Sequence, residues 1–297
     1  MSAVAFNLYR LANTCCVVVG LGLIGKSIAK HISHYGLQIH NVTTQFSWTQ
    51  ADEIADTINL LAQSTGRKQL ELIWSSGHAG FSATDDEMND EYNIFSEVTK
   101  RLAMKHGENL TINFLSSAGG IYEGLEYINN LVEVSPVRPY GEWKLKQEEL
   151  LLSMQIPVRL YRISSAYGFA LGKSRFGLIN NLINSSLTNK NTLIYANPST
   201  LRDYVFTQDI ARFITENIIE SKPPGTHIVA SGRAVSVDML INSISQLLRK
   251  RVKVSYSPSK TNSKNIVFPT RLLPHNLMIT PLEESIRTIS INRFFSQ

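Results

Sequence analysis

The stretch Cys15-Cys16-Val17-Val18-Val19-Gly20-Leu21-Gly22-Leu23-Ile24-Gly25 decides the fold. Cys15 to Val19 is a continuous apolar run, the pattern of a strand buried on both faces of a sheet. Three glycines follow at once, spaced G-x-G-x-x-G. A helical pattern then runs through Ser27, Ile28, Ala29 and Ile32 and ends near Gly36. Strand, glycine turn and helix in this order form the dinucleotide fingerprint. Gly20 permits the tight turn, Gly22 lets backbone approach a pyrophosphate, and Gly25 lets helix and strand pack closely. Leu23 and Ile24 stand where the helix N-terminus offers N–H groups and partial positive charge to phosphate. Out of context the motif is weak and reads equally as a structural turn; the flanking strand and helix give it meaning.

Outward from this turn, strands and helices alternate. Leu37 to Thr44 reads as a second strand and Asp52 to Gln63 as an amphipathic helix. Leu70 to Trp74 is a strand running into Ser75-Ser76-Gly77, small residues that would let adenosine and ribose lie close. Glu91 to Lys105 is helical. Leu110 to Leu115 is a strand ending in Ser116-Ser117-Ala118-Gly119-Gly120-Ile121-Tyr122. The helix through Glu142 to Met154 precedes a strand at Val158 to Ile163. This alternation predicts an α/β protein with a doubly wound parallel Rossmann sheet. After Ser164 the alternation weakens into a mixed series. It holds a helix at Phe176–Leu187, short strands at Thr192–Tyr195 and Leu201–Phe206, and a helix at Gln208–Ile219. A helix at Val237–Leu248, a strand at Val252–Tyr256 and a last helix at Leu282–Ile289 complete it. We expect a dinucleotide-binding domain over 1–165, with the chain returning to it at about 203–230. A smaller α+β substrate lobe would take most of 166–297. Residues 1–14 read as a short extension before the first strand.

The 297 residues are 43% hydrophobic and 18% charged, ordinary for a soluble globular chain with a sizeable core. The net charge of +5 is carried by 29 scattered basic residues. The dense cluster, Arg249-Lys250-Arg251 with Lys253, reads as a solvated helix end. We therefore expect no nucleic-acid partner; a basic surface also suits a small diphosphate-bearing substrate. Adjacent cysteines on a strand point to opposite faces, so Cys15 and Cys16 are expected as buried thiols. No apolar run reaches membrane-spanning length, and the N-terminus has no signal-peptide pattern. We expect a cytoplasmic protein, and we assign no metal site.

The chemistry points to Tyr140-Gly141-Glu142-Trp143-Lys144. Tyrosine and lysine four apart share one helix face. A phenol of pKa ~10 is a poor base at neutral pH, and a nearby ammonium lowers that value by favouring phenolate. Alone, Y-x-x-x-K is weak and reads more readily as a solvated helix face. Its position after the glycine turn and the Ser116-Ser117 pair gives it weight.

These pieces resemble the extended short-chain dehydrogenase/reductases, specifically the NAD-dependent epimerase/dehydratase group acting on nucleotide sugars. The matching segments run in order: Gly20–Gly25, the serine strand end before Tyr122, and Pro139-Tyr140-Gly141 with Lys144. Then come Arg162-Ile163-Ser164-Ser165-Ala166-Tyr167-Gly168, Arg202-Asp203-Tyr204-Val205 with Asp209, and Thr280-Pro281-Leu282-Glu283-Glu284-Ser285-Ile286. The resemblance implies that Tyr140 is the catalytic acid/base and that Lys144 bonds the nicotinamide ribose. Ser117, with Ser116 as the alternative, would bond the reacting hydroxyl. Arg202 would meet the substrate diphosphate, whose geometry suits a guanidinium fork; the alternative is an ion pair with Asp203 or Asp209. Ser165 would lie near the substrate, and Arg271 would be a second phosphate contact. Thr44, Ser75, Ser76, Gly77 and Ile163 would line the cofactor site beside the glycine turn. The site would lie between sheet and lobe, at the carboxyl ends of the strands. Family members often dimerise through two helices, here about 91–105 and 142–154, whose apolar residues would equally serve as internal core.

Three positions depart from the family pattern. An NAD site usually has Asp or Glu ending the second strand. Here stand Asn41, Val42, Thr43, Thr44 and Gln45, with neither an acid nor an arginine, so NAD and NADP both stay open. Glu123 stands where glycine commonly follows Tyr122, and the N-terminal extension is unusual. Sugar 4,6-dehydratases of the family carry an Asp-Glu pair to move the two protons of an elimination. Here Ala118 and Gly119 hold that place, which disfavours dehydration. Epimerase is the preferred reading, by transient oxidation of a sugar hydroxyl and reduction from the other face, in a surface-polysaccharide setting. A reductase of a keto sugar uses the same residues for half that cycle. A non-catalytic redox-sensing regulator of this fold would typically lack the tyrosine or the lysine, and both are present.

Overall fold

A computed structural model of the chain describes residues 2–40, 50–77, 79–125, 127–169, 177–257 and 264–294. The chain begins with two strands, β1 (Ala3–Leu8) and β2 (Thr14–Val19), then helix α1 (Leu23–Ile32) and strand β3 (Gly36–His40). Helix α2 (Ala51–Ser64), strand β4 (Gln69–Trp74) and helix α3 (Asp85–His106) follow. Next come β5 (Leu110–Ser117), the single-turn α4 (Ala118–Ile121), α5 (Pro139–Ser153), β6 (Val158–Ile163) and β7 (Ser165–Tyr167). The remainder is α6 (Leu178–Thr188), β8 (Asn191–Ile194), β9 (Leu201–Arg202), β10 (Tyr204–Phe206), α7 (Thr207–Ile219) and β11 (Gly225–Val229). It closes with β12 (Val235–Ser236), α8 (Val237–Leu248), β13 (Lys253–Tyr256) and α9 (Leu282–Phe294).

Seven strands form one sheet in the order β11-β6-β5-β4-β2-β1-β3. From β2 to β11 every pairing is parallel, as the alternation predicted. The other edge differs from expectation. Residues 3–8 are no surface extension but a strand antiparallel to both β2 and β3, with Ala3 opposite Val19 and Leu8 opposite Gly36. The physical reason is visible in its side chains. Ala3 and Ala5 join the core on one face of the sheet, while Val4, Phe6 and Leu8 join the core on the other. Both faces of the strand are apolar, so burying it in the sheet removes more surface from water than leaving it outside. The sheet is consequently mixed, although its α/β layering is the expected one.

Helices cover both faces. Ile54, Ile58, Phe95, Val98, Leu102 and Leu151 from α2, α3 and α5 pack on one side. Ile28, Ile32, Ile210 and Ile214 from α1 and α7 pack on the other. Local signals fix the helix starts. Thr84 and Glu87 form a reciprocal capping box on α3, and Pro139 occupies the first turn of α5. The apolar residues of 91–105 and 142–154 largely serve this internal core, with Met104 and Leu152 left exposed.

After β6 the chain builds a second cluster from α6, α8 and α9 around Tyr167, Leu182, Leu240, Ile244 and Ile286. It also sends α7 and β11 back to the sheet. The expected strand 201–206 is broken at Asp203. Its buried carboxylate accepts the N–H groups of Ser231 at 2.7 Å and Gly232 at 2.8 Å, and the Ser164 hydroxyl at 3.0 Å. Among the described residues no helix is long and apolar enough to cross a membrane.

Phe6 is 1% exposed inside this sheet. Phe6→Ala should cost about 3–5 kcal/mol by loss of apolar contact and the cavity left behind. Urea unfolding measures it; a loss under about 1 kcal/mol would mean that residues 3–8 lie outside the core.

Candidate active site

The glycine turn is built by contact. Gly20 has φ of +90°, and a Cβ there would lie 2.6 Å from the Ser76 Cα. A Cβ on Gly25 would lie 1.9 Å from the Gly20 carbonyl oxygen. Gly22 has nothing within 4 Å of its Cβ position and faces open space. No side chain caps α1 behind it. Leu23, Ile24, Ser75, Ser76, Gly77, Ser116, Tyr140, Lys144 and Ile163 line one cleft of about 300 Å³. All were expected as cofactor or site residues. The Ser116 hydroxyl is buried here with no partner among the described residues. Open backbone at Gly22, an uncapped helix start and an orphaned hydroxyl fit a dinucleotide. Thr44 lies outside the described residues.

A second cleft of about 500 Å³ opens on the other side of Tyr140. Ser117, Ser165 and Arg202 line it, together with Phe81, Gly119 and Tyr195. Tyr140 is therefore a shared wall of both clefts. It sits in the first turn of α5, where α4 and α5 touch through glycines. A Cβ on Gly141 would lie 2.3 Å from the Gly120 carbonyl oxygen, and one on Gly120 would lie 3.0 Å from the Tyr140 ring. Ser117 caps α4, its oxygen accepting the Gly120 N–H at 3.1 Å. That bond leaves its hydroxyl proton able to donate elsewhere.

Arg202 donates through Nη1 to the carbonyls of Leu201, at 3.0 Å, and Lys264. Loss of water lowers its pKa from the usual value, but a guanidinium stays charged. The acids that sequence offered as its partners are engaged elsewhere. Asp203 holds the 231–232 turn, and Asp209 pairs with Arg212 at 3.0 Å and accepts the Thr280 hydroxyl at 2.7 Å. Arg271 stands apart from the other site residues. It lines a separate groove with Tyr127, Lys264 and Val267, with Nη2 3.5 Å from Asn129. Among the described residues no three His, Cys, Asp or Glu lie close enough to hold a metal.

The model of the NAD dependent epimerase/dehydratase family matches residues 16–230. The chain belongs to this family. As a member it is an NAD(P)-dependent enzyme. No match was found among curated proteins. The fold is similar to that of UDP-glucose 4-epimerase from Thermus thermophilus, solved with NAD. That match has 16% identity and a TM-score of 0.74, over 92% of this chain and 96% of that one. UDP-glucose 4-epimerase from Thermotoga maritima, solved with UDP-glucose, matches at 17% identity and TM-score 0.72, over 93% and 97%. UDP-N-acetylglucosamine 4-epimerase from Methanobrevibacter ruminantium matches at 18% and 0.71, over 93% and 96%.

Within this epimerase/dehydratase frame, the structure adds residues that sequence reading missed. Lys144 is 5% exposed, and its Nζ lies 2.9 Å from Gln147 Oε1 and 3.4 Å from Glu91 Oε1. The other Glu91 oxygen accepts the Ala79 N–H at 2.8 Å. One buried carboxylate thus ties the lysine to the loop after β4. The signal was present, since Glu91 leads the core-facing series Phe95, Val98, Leu102, where an acid needs a partner. Glu123, the family departure, now has an account. It is buried against Arg138, which stacks 4.1 Å over the Phe81 ring, and Phe81 meets Tyr140 edge-on at 5.5 Å. A glycine at 123 could not hold that arginine at the start of α5.

Glu91→Leu should destabilise the fold by about 3–5 kcal/mol, because it strands a buried ammonium. Denaturant titration checks this; an unchanged midpoint would show that Gln147 alone satisfies Lys144.

Proposed function

We propose that the protein is a nucleotide-sugar epimerase that transiently oxidises a sugar hydroxyl, with Tyr140 as acid and base. The observation that carries this reading is the position of Tyr140 between the two clefts. A group there reaches both a bound nicotinamide and a sugar on the far side. Lys144 sits one turn along the same helix, its Nζ 5.9 Å from the centre of the tyrosine ring. Tyr140 takes the hydroxyl proton during oxidation and returns it during reduction. Ser117 donates its hydroxyl proton to the same substrate oxygen and orients it. Arg202 and Ser165 line the substrate cleft, where a guanidinium suits a diphosphate.

Gly20, Gly22, Gly25, Leu23 and Ile24 would hold the pyrophosphate, and Ser75, Ser76, Gly77 and Ile163 would flank the rest of the dinucleotide. When bound, that group supplies the hydride acceptor and donor. The protein's own part is to hold the sugar, move its hydroxyl proton through Tyr140, and keep water from the keto sugar. The cleft volume is in the range for small-molecule sites. Ala118 and Gly119, which start α4, carry no group able to protonate a leaving hydroxyl. This weighs against elimination.

The deciding experiment offers purified protein UDP-, dTDP- and GDP-hexoses, their N-acetyl forms and their 4-keto forms, with NAD or NADPH. A new epimer without net change in nicotinamide absorbance is expected. Stoichiometric loss of reduced cofactor with a keto sugar would make the protein a reductase; cofactor binding without turnover would favour a regulator. Tyr140→Phe should lower kcat by about 10²–10⁴-fold with cofactor affinity kept. A folded Tyr140→Phe enzyme with normal turnover would remove tyrosine from the mechanism. Arg202→Met should raise KM about tenfold or more, with a smaller effect on kcat. An unchanged KM would place the diphosphate elsewhere.

A further inference from the structure

We infer that Ser2, at the head of β1, meets the adenosine ribose of the dinucleotide and sets the choice between NAD and NADP. The inference rests on the dinucleotide site described above.

In a doubly wound sheet the pyrophosphate lies on the helix that follows the first strand. The ribose is met by the residue that ends the neighbouring strand. Here the neighbour of β2 on that side is β1, and it runs the opposite way. Its beginning, not its end, comes level with the glycine turn. The Ser2 carbonyl accepts the Gly20 N–H at 2.7 Å, and the Ser2 hydroxyl accepts the Leu21 N–H at 3.3 Å. Ser2 is thus joined to the first two residues of the fingerprint.

The strand that would ordinarily carry the ribose ligand is one place further out. β3 pairs with β1 and not with β2, so it lies two strand spacings, roughly 10 Å, from the glycine turn's strand. Its last residue, His40, is opposite Ala5, which is itself opposite Val17. The described part of β3 therefore reaches only to the level of Val17, three residues short of Gly20.

Ser2 brings a half-buried neutral hydroxyl to this place. Its oxygen is engaged by Leu21 N–H, so its proton can donate to a ribose hydroxyl or to a 2′-phosphate oxygen. It offers no carboxylate to repel a 2′-phosphate and no cation to hold one. The chain should therefore bind NAD and NADP with Kd values within roughly tenfold of each other.

The test is calorimetric titration of the full chain with NAD, NADP and the NAD analogue lacking the adenosine 2′-hydroxyl. Ser2→Asp should weaken NADP at least about tenfold more than NAD, and Ser2→Arg should do the reverse. Ser2→Ala keeps the main-chain bond to Gly20 and guards against a charged variant that fails to fold. In the unaltered chain, loss of the 2′-hydroxyl should cost about three- to tenfold in affinity, and in Ser2→Ala that difference should vanish. The same difference in both proteins would overturn the inference and leave the cofactor site standing. An unaltered chain that binds neither dinucleotide would overturn both.

Discussion

Two loops meet at van der Waals limit beside the first parallel strand, and the site depends on that meeting. Gly20 leaves β2 with a positive φ and passes so close to Ser75 and Ser76 that no side chain fits between them. Gly25 brings α1 against the Gly20 carbonyl. These approaches set α1 at the carboxyl ends of β2 and β4, with its uncapped N-terminus facing the cleft. The sheet orders the strands, but it is the lack of Cβ atoms at these two glycines that lets the loops close to form the cleft floor. Ser2 completes the junction from the third strand, so β1, β2 and β4 all converge on one turn.

Around this junction the helices are pinned by charge. Lys144 meets Glu91 and Gln147, Arg162 meets Glu148 at 2.7 Å, Arg159 meets Glu71 at 3.0 Å, and Arg138 meets Glu123. Lys144–Glu91 and Arg159–Glu71 join elements distant in sequence, and the other two acid–base pairs join successive segments. Such pairs add little net stability when formed, because desolvation offsets the Coulomb attraction. They penalise misplacement heavily, since a buried charge without its partner is costly. Here they fix α5 between α3 and the sheet, and so fix Tyr140 between two clefts. Burial keeps the Glu71 carboxyl above its usual pKa, while Arg159 and Asn113 pull it back. Arg159 also bonds the Lys222 carbonyl, at 2.7 Å through Nη2, and so secures the chain just before β11.

Much of this was legible in the residues. The apolar run at Cys15–Val19, the glycine spacing and the strand–helix alternation predict the layered α/β sheet, because they encode burial and local backbone freedom. Tyr140, Lys144, Ser116, Ser117, Ser165 and Arg202 were all selected, and the fold gathers them around two adjoining clefts. Arg271 went to another groove, on a single 3-10 turn (Thr270–Leu272) whose position is set by what its segment packs against. The N-terminal run was misread because Ala-Val-Ala-Phe is too short and too evenly apolar to announce which partner it will pair with.

The sequence by itself determined which segments are buried strands, where backbone must pass without a side chain, and which groups can move a proton. Those are local properties of residue size, polarity and spacing. Tertiary structure alone decided that β1 inserts between β2 and β3, that Glu91 faces Lys144, and that Glu123 anchors Arg138 beside Phe81 and Tyr140. Strand order and buried charge pairing depend on surfaces contributed from far apart in the chain. No local pattern carries that information; the lowest free energy of the assembled sheet does.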